Sequence, residues 1–256
     1  MPSSTHLILI PSYNTGPRLT ETVAEALRHW APVWIVIDGS TDGSADALAG
    51  LGAGDSRLRV IVRPQRGGKG AAIATGLSAA QAEGFTHVLT MDADGQHPAA
   101  RIGEFMAASA DRPEALVLGR PRFGPEAPVA RLKGRQVSVW LAHIEVLGSA
   151  IADPLFGFRV YPAAALARAW RKTPFGRGYD FDQEMAVRIV WGGAPTVNLD
   201  AACRYLARDE GGISHFRYLR DNLILFWMNF RLLLELLVLR WPALLRRRVA
   251  NSRISS

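Results

Sequence analysis

The stretch VLTMDADGQHP, residues 88–98, carries the strongest fold signal in this chain of 256 residues. A short apolar run rich in strand formers ends abruptly at Asp92 and Asp94, which are followed by Gly95. In an open α/β sheet, ligands bind outside the carboxyl ends of the strands, and two hard oxygen donors separated by one residue can face one divalent cation. The stretch therefore predicts a metal or phosphate site, with two solvated turn carboxylates as the alternative.

Strands and helices alternate through the first half of the chain. Apolar runs at residues 7–10, 35–37 and 58–62 are typical of buried strands, and helical spacing lies between them. Such units assemble into a mostly parallel sheet with helices on both faces, so we expect an α/β fold. The polar loops that follow its strands, and that should meet at one edge, are Tyr13 with Asn14, residues 38–40, residues 63–69 and residues 92–97.

The second half of the chain is less regular. Residues 115–118 predict a fifth strand, and residues 119–135 are so rich in Gly, Pro and Arg that a solvated surface loop is expected there. Helices are expected at residues 136–147 and 180–191, and a late strand at residues 194–199.

Charge and cysteine content restrict the class of protein. A net charge of +7 and a pI near 10.2 indicate an anionic partner, which could be nucleic acid, nucleotide, phospholipid or a phosphorylated substrate. Cys203 is the single cysteine, so an internal disulfide is excluded and a reducing cytoplasm is favoured. The first residues lack the basic region and the long apolar run of a signal peptide, and we expect a cytoplasmic protein.

An amphipathic helix is predicted at residues 223–241. Its apolar residues form one broad face, and Asn229, Arg231, Glu235 and Arg240 lie on the opposite half. Two central charges disfavour a membrane span, so we expect an interfacial helix, assisted by the basic residues 246–248, or a helix packed on protein. This predicts two units, a main domain at residues 1–215 and a membrane-associating helix with a basic tail at residues 216–256.

A glycine-rich loop at residues 66–70 precedes a predicted helix. Glycines beside a lysine at a helix N-terminus are the composition of a phosphate cradle, although the spacing of a P-loop is absent. A plain glycine-rich turn is the alternative, and proximity to Asp92 and Asp94 on the same sheet edge favours a nucleotide-diphosphate site.

Four segments in order resemble the signature of glycosyltransferase family 2, which has the GT-A fold: IPSYN at residues 10–14, VIDGSTDGS at 36–44, GKGA at 68–71 and MDADGQHP at 91–98. Asp153, residues 157–159, Glu184 and residues 208–215 are similar to the dolichol-phosphate mannosyltransferase branch and its bacterial relatives.

The resemblance implies inverting transfer of a sugar from a nucleotide-sugar donor, assisted by Mg²⁺ or Mn²⁺. It implies that Asp92, Asp94 and Gln96 hold the metal on the donor diphosphate and that Asp38 contacts the base or ribose. The remaining donor-binding residues that it implies are Pro11, Tyr13, Asn14, Gly68, Lys69 and Ala93. The basic residues that it places near donor or acceptor phosphates are Arg120, Arg135, Arg208 and His215, and His215 stands where the family usually has lysine.

The acceptor determines whether a general base is needed. A phosphate oxygen is already ionised at neutral pH, whereas a hydroxyl needs a carboxylate within hydrogen-bond reach. Asp182 and Glu184 join Asp94 as catalytic candidates, with Asp182 as the base for a hydroxyl acceptor and Glu184 as a residue that orients Arg188 or an acceptor group. The two acids lie two residues apart on a helix and cannot share a face, and acids at a helix end often have no catalytic consequence.

The function that the sequence favours is an inverting glycosyltransferase on the cytoplasmic face of the inner membrane. It would move a hexose from a nucleotide-sugar to a lipid-linked acceptor, either a polyprenyl phosphate or a lipid hydroxyl. The alternatives are a metal-dependent nucleotidyltransferase and a non-catalytic protein that binds anions or membranes. Nucleic acid is not expected as a partner, because the basic residues lack interleaved stacking aromatics. The sugar, the nucleoside and the oligomeric state stay open.

Overall fold

A computed structural model describes residues 2–52, 55–125, 127–203 and 217–242. A seven-stranded sheet with the order β3-β2-β1-β4-β6-β5-β7 organises these residues, and helices cover both of its faces. The strands are β1 (His6–Ser12), β2 (Val33–Asp38), β3 (Leu58–Arg63), β4 (His87–Thr90), β5 (Leu116–Phe123), β6 (Arg159–Pro162) and β7 (Thr196–Cys203). The helices are α1 (Pro17–His29), α2 (Ser44–Gly52), α3 (Lys69–Ala82), α4 (Ile102–Asp111), α5 (Val129–Glu145), α6 (Ala163–Arg171), α7 (Phe181–Trp191) and α8 (Tyr218–Glu235).

The sheet is mostly parallel, as the sequence predicts. Only β6 pairs antiparallel with its neighbours β4 and β5, while the other strand pairs are parallel. The sequence did not predict β6, because four residues between two helical segments are too short to show a period. Its antiparallel direction brings the segment before it, residues 153–158, to the same sheet edge as the end of β4.

Alternation along the central strands divides the core into two layers. Leu7 and Leu9 of β1 face one layer, which α3, α6, α7 and α8 cover. Ile8 and Ile10 face the other layer, which α1 and α4 cover. Strands that bury both faces are the continuous apolar runs seen in the sequence, as expected for a parallel sheet sandwiched between helices.

The expected surface loop at residues 119–135 is mostly regular structure. Strand β5 continues to Phe123 because its backbone pairs with β7 as far as Cys203. Helix α5 begins at Val129, earlier than the predicted start at residue 136. Glycine and proline in this segment suggested a loop, and pairing along the sheet edge overrides that local tendency.

Helix α8 is followed by one π-helical turn, Leu236–Arg240, and packs against α5 and α7. Residues Leu219–Arg240 are long and apolar enough to cross a membrane by length and composition, and 22% of their most apolar window is buried in the protein. Asn229, Arg231 and Glu235 face the protein and the apolar side of the helix is largely exposed, so the helix is both docked and amphipathic. Arg208, His215 and the basic residues 246–248 lie outside the described residues.

Candidate active site

A cavity of about 160 Å³ opens at the carboxyl edge of the sheet. The loop after β4 supplies its polar side, with Asp92, Asp94 and Gln96. The ends of β5 and β7, the helix α5 with the loop before it, and the loop before β6 supply the other lining residues, most of which are apolar. These residues are Phe123, Ala127, Pro128, Leu132, Arg135, Leu155, Phe156, Gly157 and Cys203. The structure therefore places residues 92–96, the acidic turn, in a cleft instead of leaving them on an open surface.

Lys69 links the acidic turn to α7. Its Nζ lies 2.7 Å from Oδ1 of Asp92 and 2.6 Å from Oδ2 of Asp182. Burial alone would lower the pKa of Lys69, but the charges of Asp182 and Asp92 outweigh it and raise that pKa. Burial raises the pKa of Asp92, yet the Lys69 charge and the neighbouring His97 bring it below its usual range. Lys69, Asp92 and Asp182 thus form an ion-paired triad that joins the end of β4 to α7.

Asp94 differs from Asp92 in its surroundings. Burial, and then the negative charge of Asp92, raise the pKa of Asp94. Its Oδ1 accepts a hydrogen bond from the Gln96 backbone N–H at 3.0 Å. Two nearby carboxylates with one shared lysine leave negative charge that a cation could neutralise.

The residues of the acidic turn fit a divalent cation. Asp92, Asp94 and Gln96 are oxygen donors that line one cavity, the donor type that Mg²⁺ and Mn²⁺ prefer. Within the described part of the chain, no three His, Cys, Asp or Glu side chains form a preformed metal cage. This composition suits Mg²⁺, which one or two carboxylates plus substrate phosphates usually hold, better than a metal caged by protein alone.

His97 packs and orients the turn. Its Nδ1 accepts a hydrogen bond from the Asp92 backbone N–H at 2.9 Å, which assigns the ring proton to Nε2, and Nε2 lies 3.4 Å from Oδ2 of Asp92. Its ring makes T-shaped contacts with the rings of Phe156 and Phe158. Burial lowers the pKa of His97 despite the carboxylates beside it. The imidazole is a neutral support for the Asp92 backbone.

The glycines before α3 have a structural reason beyond phosphate binding. Gly68 has φ +92, and a Cβ there would lie 2.2 Å from the Arg177 carbonyl oxygen. A Cβ on Gly70 would lie 2.0 Å from the Gly176 carbonyl oxygen, and the Gly70 N–H donates to Arg177 O at 3.0 Å. The glycines let the loop before α7 approach, which is how Lys69 reaches Asp182.

Asp38 is buried beneath the glycine loop. Its carboxylate accepts hydrogen bonds from the backbone N–H groups of Gly67 and Gly68, at 3.0 and 2.7 Å, and pairs with Arg63. In the structure the Asp38 carboxylate thus holds the glycine-rich loop in place. A contact between Asp38 and the nucleoside stays a prediction.

Hydrogen bonds join the loop after β1 to the loop after β2. The Asn14 side-chain oxygen accepts from the Thr41 N–H at 2.8 Å, and the Asn14 N–H donates to the Ser40 hydroxyl at 3.0 Å. The Arg66 guanidinium lies 3.9 Å from the centroid of the Tyr13 ring, a cation–π contact. These loops thus meet at one edge, as predicted, with Pro11 half-buried in β1 and Ala93 buried beside Asp92.

The predicted phosphate-binding arginines lie in different places. Arg135 lines the cavity and forms a two-pronged ion pair with Asp153, with Nη2 to Oδ1 at 2.7 Å. Arg120 pairs with Asp200 on the exposed surface of β5 and β7 and does not line the cavity. Asp153 also caps its own loop by accepting hydrogen bonds from the N–H groups of Leu155 and Phe156, which is a structural role.

The two acids of α7 point to different partners, as helix geometry requires. Asp182 holds Lys69, and no donor among the described residues reaches its buried Oδ1. Glu184 is fully buried and contacts Arg188 and Arg231, away from the cavity. The structure therefore brings Asp182 close to the acidic turn through Lys69 and does not bring Glu184 there.

Arg159 is a site residue that the sequence reasoning did not assign a role. It is fully buried at the start of β6, where its guanidinium donates to the carbonyl oxygens of Phe156, Pro154 and Asp182. These bonds tie the loop under the cavity to the first turn of α7. A lone arginine inside the apolar run FRVY was the signal, because a buried charge needs a dedicated set of partners.

The protein-family model for Glycosyl transferase family 2 matches residues 7–173, which is more than half of the chain. The chain belongs to this family. The match begins in β1 and contains the acidic turn, the glycine loop and Arg159, so the enzyme is a glycosyltransferase and the family resemblance of the sequence is confirmed.

Curated relatives of this glycosyltransferase include two lipid-phosphate mannosyltransferases. An undecaprenyl-phosphate mannosyltransferase of Micrococcus luteus is 29% identical over 190 residues, 72% of this chain and 77% of the relative. A polyprenol monophosphomannose synthase of Mycolicibacterium smegmatis is 27% identical over 206 residues, 77% of each chain.

Solved structures show the same fold. A glucosyl-3-phosphoglycerate synthase of Mycobacterium tuberculosis, in complex with Mn²⁺, UDP-glucose and phosphoglyceric acid, superposes with a TM-score of 0.64 at 18% identity. The superposition covers 92% of this glycosyltransferase and 79% of that chain. The GT-A fold that the resemblance implied is confirmed.

Proposed function

We propose that this family 2 glycosyltransferase transfers a sugar, with inversion, from a nucleoside-diphosphate sugar to a lipid phosphate at a membrane surface. The observation that supports this most directly is the acidic turn of Asp92, Asp94 and Gln96 lining the cavity at the sheet edge. Relatives with lipid-phosphate mannosyltransferase names match most of the chain, which supports the lipid acceptor.

A divalent cation, Mg²⁺ or Mn²⁺, would be held by Asp92, Asp94 and Gln96 and would stabilise the negative charge that develops on the leaving diphosphate. The related fold that contains Mn²⁺ and UDP-glucose supports this assignment. Lys69 would keep Asp92 ionised for the metal, because it lies 2.7 Å from Oδ1 of that residue. Arg135 would face phosphate groups in the cavity, since its guanidinium lines it. Arg208 and His215 keep their proposed role at donor or acceptor phosphates.

The nucleoside would sit against the first two strand-end loops. Tyr13, Asn14, Asp38 and Gly68 lie there beside Lys69, with Pro11 and Ala93 completing the lining. The backbone N–H groups of Gly67 and Gly68 both donate hydrogen bonds to Asp38. Asp38 would therefore contribute to nucleoside binding by fixing the conformation of this loop, in addition to a direct contact.

A phosphate acceptor needs no general base, and the site supports that choice. Asp92 and Asp94 are the acids that line the cavity among the described residues. Asp182 is 4% exposed and bound to Lys69, which makes it a poor proton acceptor for an incoming hydroxyl. Asp182 would therefore influence the site electrostatically, through its ion pair with Lys69. Glu184 would influence it through its ion pair with Arg231 of α8.

The membrane partner is supported by α8. Its exposed apolar face suits the inner membrane surface on the cytoplasmic side, where a polyprenyl phosphate would present its headgroup to the cavity. In this proposal residues 1–215 carry the catalytic site, and residues 216–256 hold it at the membrane.

One experiment tests the proposed function with a matched control. Wild type, Asp94→Ala and Asp111→Ala are incubated with nucleotide-sugars, Mn²⁺ and polyprenyl phosphate in vesicles, and the products are separated. Asp111 is exposed at the end of α4, so its variant should behave like wild type. We expect metal-dependent release of a nucleoside diphosphate that Asp94→Ala abolishes. Release that persists in Asp94→Ala or in EDTA would contradict the metal assignment, and release of pyrophosphate would identify a nucleotidyltransferase.

A further inference from the structure

Helix α8 is docked with its polar side inward. Apart from Arg220 and Asn222, its exposed positions are apolar: Leu219 is 79% exposed, Phe226 70% and Leu237 68%. Its buried positions mix Met228 and Leu232 with polar groups, so burial of apolar area alone does not explain the docking. An amphipathic helix that docks on its own core normally turns its apolar face inward.

Three consecutive polar contacts tie the inner side of α8 to α7. Asn229 accepts a hydrogen bond from Gln183 at 2.8 Å, and the Arg231 guanidinium bonds both oxygens of Glu184, at 2.9 and 3.3 Å. One turn further, Arg188 of α7 lies 3.1 Å from Glu235. Removing one partner from a buried ion pair leaves an uncompensated charge, so Glu184 depends on Arg231 and Arg188.

Gln183 and Glu184 sit beside Asp182 in the first turn of α7. That turn therefore touches α8 on one side and Lys69 on the other, where Asp182 holds the ammonium at 2.6 Å. The loop before α7 adds a second connection, because the Arg231 guanidinium lies 3.8 Å from the centroid of the Phe175 ring. A displacement of α8 would thus reach the acidic turn through a single helical turn.

We propose that α8 is a bilayer-responsive positioning element, in which the exposed face takes an anionic lipid bilayer and Arg231, through Glu184, fixes the first turn of α7 and so the Asp182–Lys69 pair. This inference rests on the proposed function, since it names Arg231 as a positioning residue for that glycosyl transfer. The exposed face of α8 carries positive charge, which favours anionic lipid as its partner. Asp221 is buried and Glu235 is paired inward, so the exposed charge in the described part of α8 is Arg220.

The physical mechanism is a shift of population. A helix whose polar side meets the protein and whose apolar side meets water gains little by staying docked, whereas a bilayer binds only the exposed apolar face and leaves the polar contacts in place. A ligand that binds the docked arrangement preferentially raises its population. The bilayer should therefore order the first turn of α7 without touching it.

Hydrogen–deuterium exchange on the full chain, with and without vesicles of phosphatidylcholine and phosphatidylglycerol, tests the relay from α8 through Arg231 and Glu184 to the first turn of α7. In wild type, amides at residues 182–185 should gain about tenfold protection when vesicles are added. Arg231→Met should still sediment with the vesicles, because the apolar face is intact, but should lack the added protection. Arg112→Met, the same change at an exposed position at the end of α4, should behave like wild type.

Kinetics add a second readout. Arg231→Met should lower kcat by about tenfold at an unchanged KM for the donor, and Arg231→Lys, which keeps the charge, should recover part of that loss. Arg231→Lys also replaces Arg231→Met if thermal unfolding shows that the latter is not folded. Equal protection in Arg231→Met and wild type overturns the relay. Protection that needs high protein concentration instead of vesicles overturns the bilayer and identifies a second copy. Exchange does not depend on nucleotide-sugar, so vesicle-dependent protection in an enzyme that transfers no sugar would contradict the proposed function alone.

Discussion

The ammonium of Lys69 lies 2.6 Å from Oδ2 of Asp182, so the glycine loop before α3 and the first turn of α7 share one buried ion pair. The same ammonium contacts Asp92 at the end of β4. Three elements that are far apart in the sequence thus depend on one positive charge. The charge state of the acidic turn is therefore a property of the tertiary structure.

Lys69→Met should destabilise the enzyme and inactivate it. The substitution keeps most of the side-chain volume but leaves the buried Asp182 and the partly exposed Asp92 without their cation. Removal of one partner of a buried pair costs about 3–5 kcal/mol. Urea unfolding measures the stability, and release of nucleoside diphosphate measures the activity. Lys172→Met, at an exposed position after α6, is the matched control and should change neither. A stable Lys69→Met would show that the triad contributes little to folding.

Gly70→Ala should separate the glycine loop from the loop before α7. The new Cβ would lie 2.0 Å from a backbone carbonyl oxygen, that of Gly176, and such overpacking costs about 1–3 kcal/mol. Gly103→Ala provides the control, because Gly103 is likewise the second residue of its helix and a Cβ there would meet nothing within 4 Å. Gly103→Ala should be neutral or stabilising by up to about 1 kcal/mol. Thermal unfolding of both variants measures the difference, and equal midpoints would contradict the packing argument.

The stability of the fold should fall as the pH rises because of Glu145, the last residue of α5, whose side chain accepts a hydrogen bond from Gln183. Burial raises the pKa of Glu145 to about 8 from an ordinary value of 4.5, with the Glu184 charge acting in the same direction. A carboxyl whose folded pKa is raised contributes stability that is complete below its unfolded pKa and is lost as the pH rises through its folded pKa. The urea midpoint should fall as the pH rises from about 4.5 to about 8 in wild type, and less in Glu145→Gln. Parallel pH profiles would refute the assignment.

The amino end of the sheet should show the opposite pH dependence through His6. Its ring stacks on His87 with centroids 4.3 Å apart, and burial, followed by the His87 charge, lowers the pKa of His6 to about 4. The unfolded chain therefore binds this proton first. The resulting stability is present above pH 6.5, the ordinary value of His6, and is lost as the pH falls through about 4.

Replacing His6 with Gln should flatten this acid limb by an amount on the order of 3 kcal/mol, the free energy equivalent of the pKa difference. Urea unfolding in small pH steps measures it, and His29→Gln, at a partly exposed position at the end of α1, is the control. A His29→Gln profile that flattens as much as the His6→Gln profile would rule out His6 as the source.

Much of the fold was predictable because local signals and tertiary structure agree. The apolar runs of β1, β2 and β4 bury both faces, and such runs have no competing interpretation once turn residues bound them. The segment at residues 119–135 was predicted wrongly, since its glycines and prolines outweighed the sheet pairing that only the assembled β5 and β7 provide. Strand β6 was missed because its four residues are too few to show a period.

The acidic turn itself was determined by sequence. Asp92, Asp94 and Gln96 lie within six residues of the end of β4, so their placement at the carboxyl edge needs only local geometry and the handedness of a parallel sheet. Tertiary structure decided what those side chains meet. Lys69 reaches Asp182 across 113 positions of sequence, and Glu184 turns away to Arg231 because residues two positions apart on a helix do not share a face. Contacts between distant segments depend on packing, and packing is a property of the whole chain.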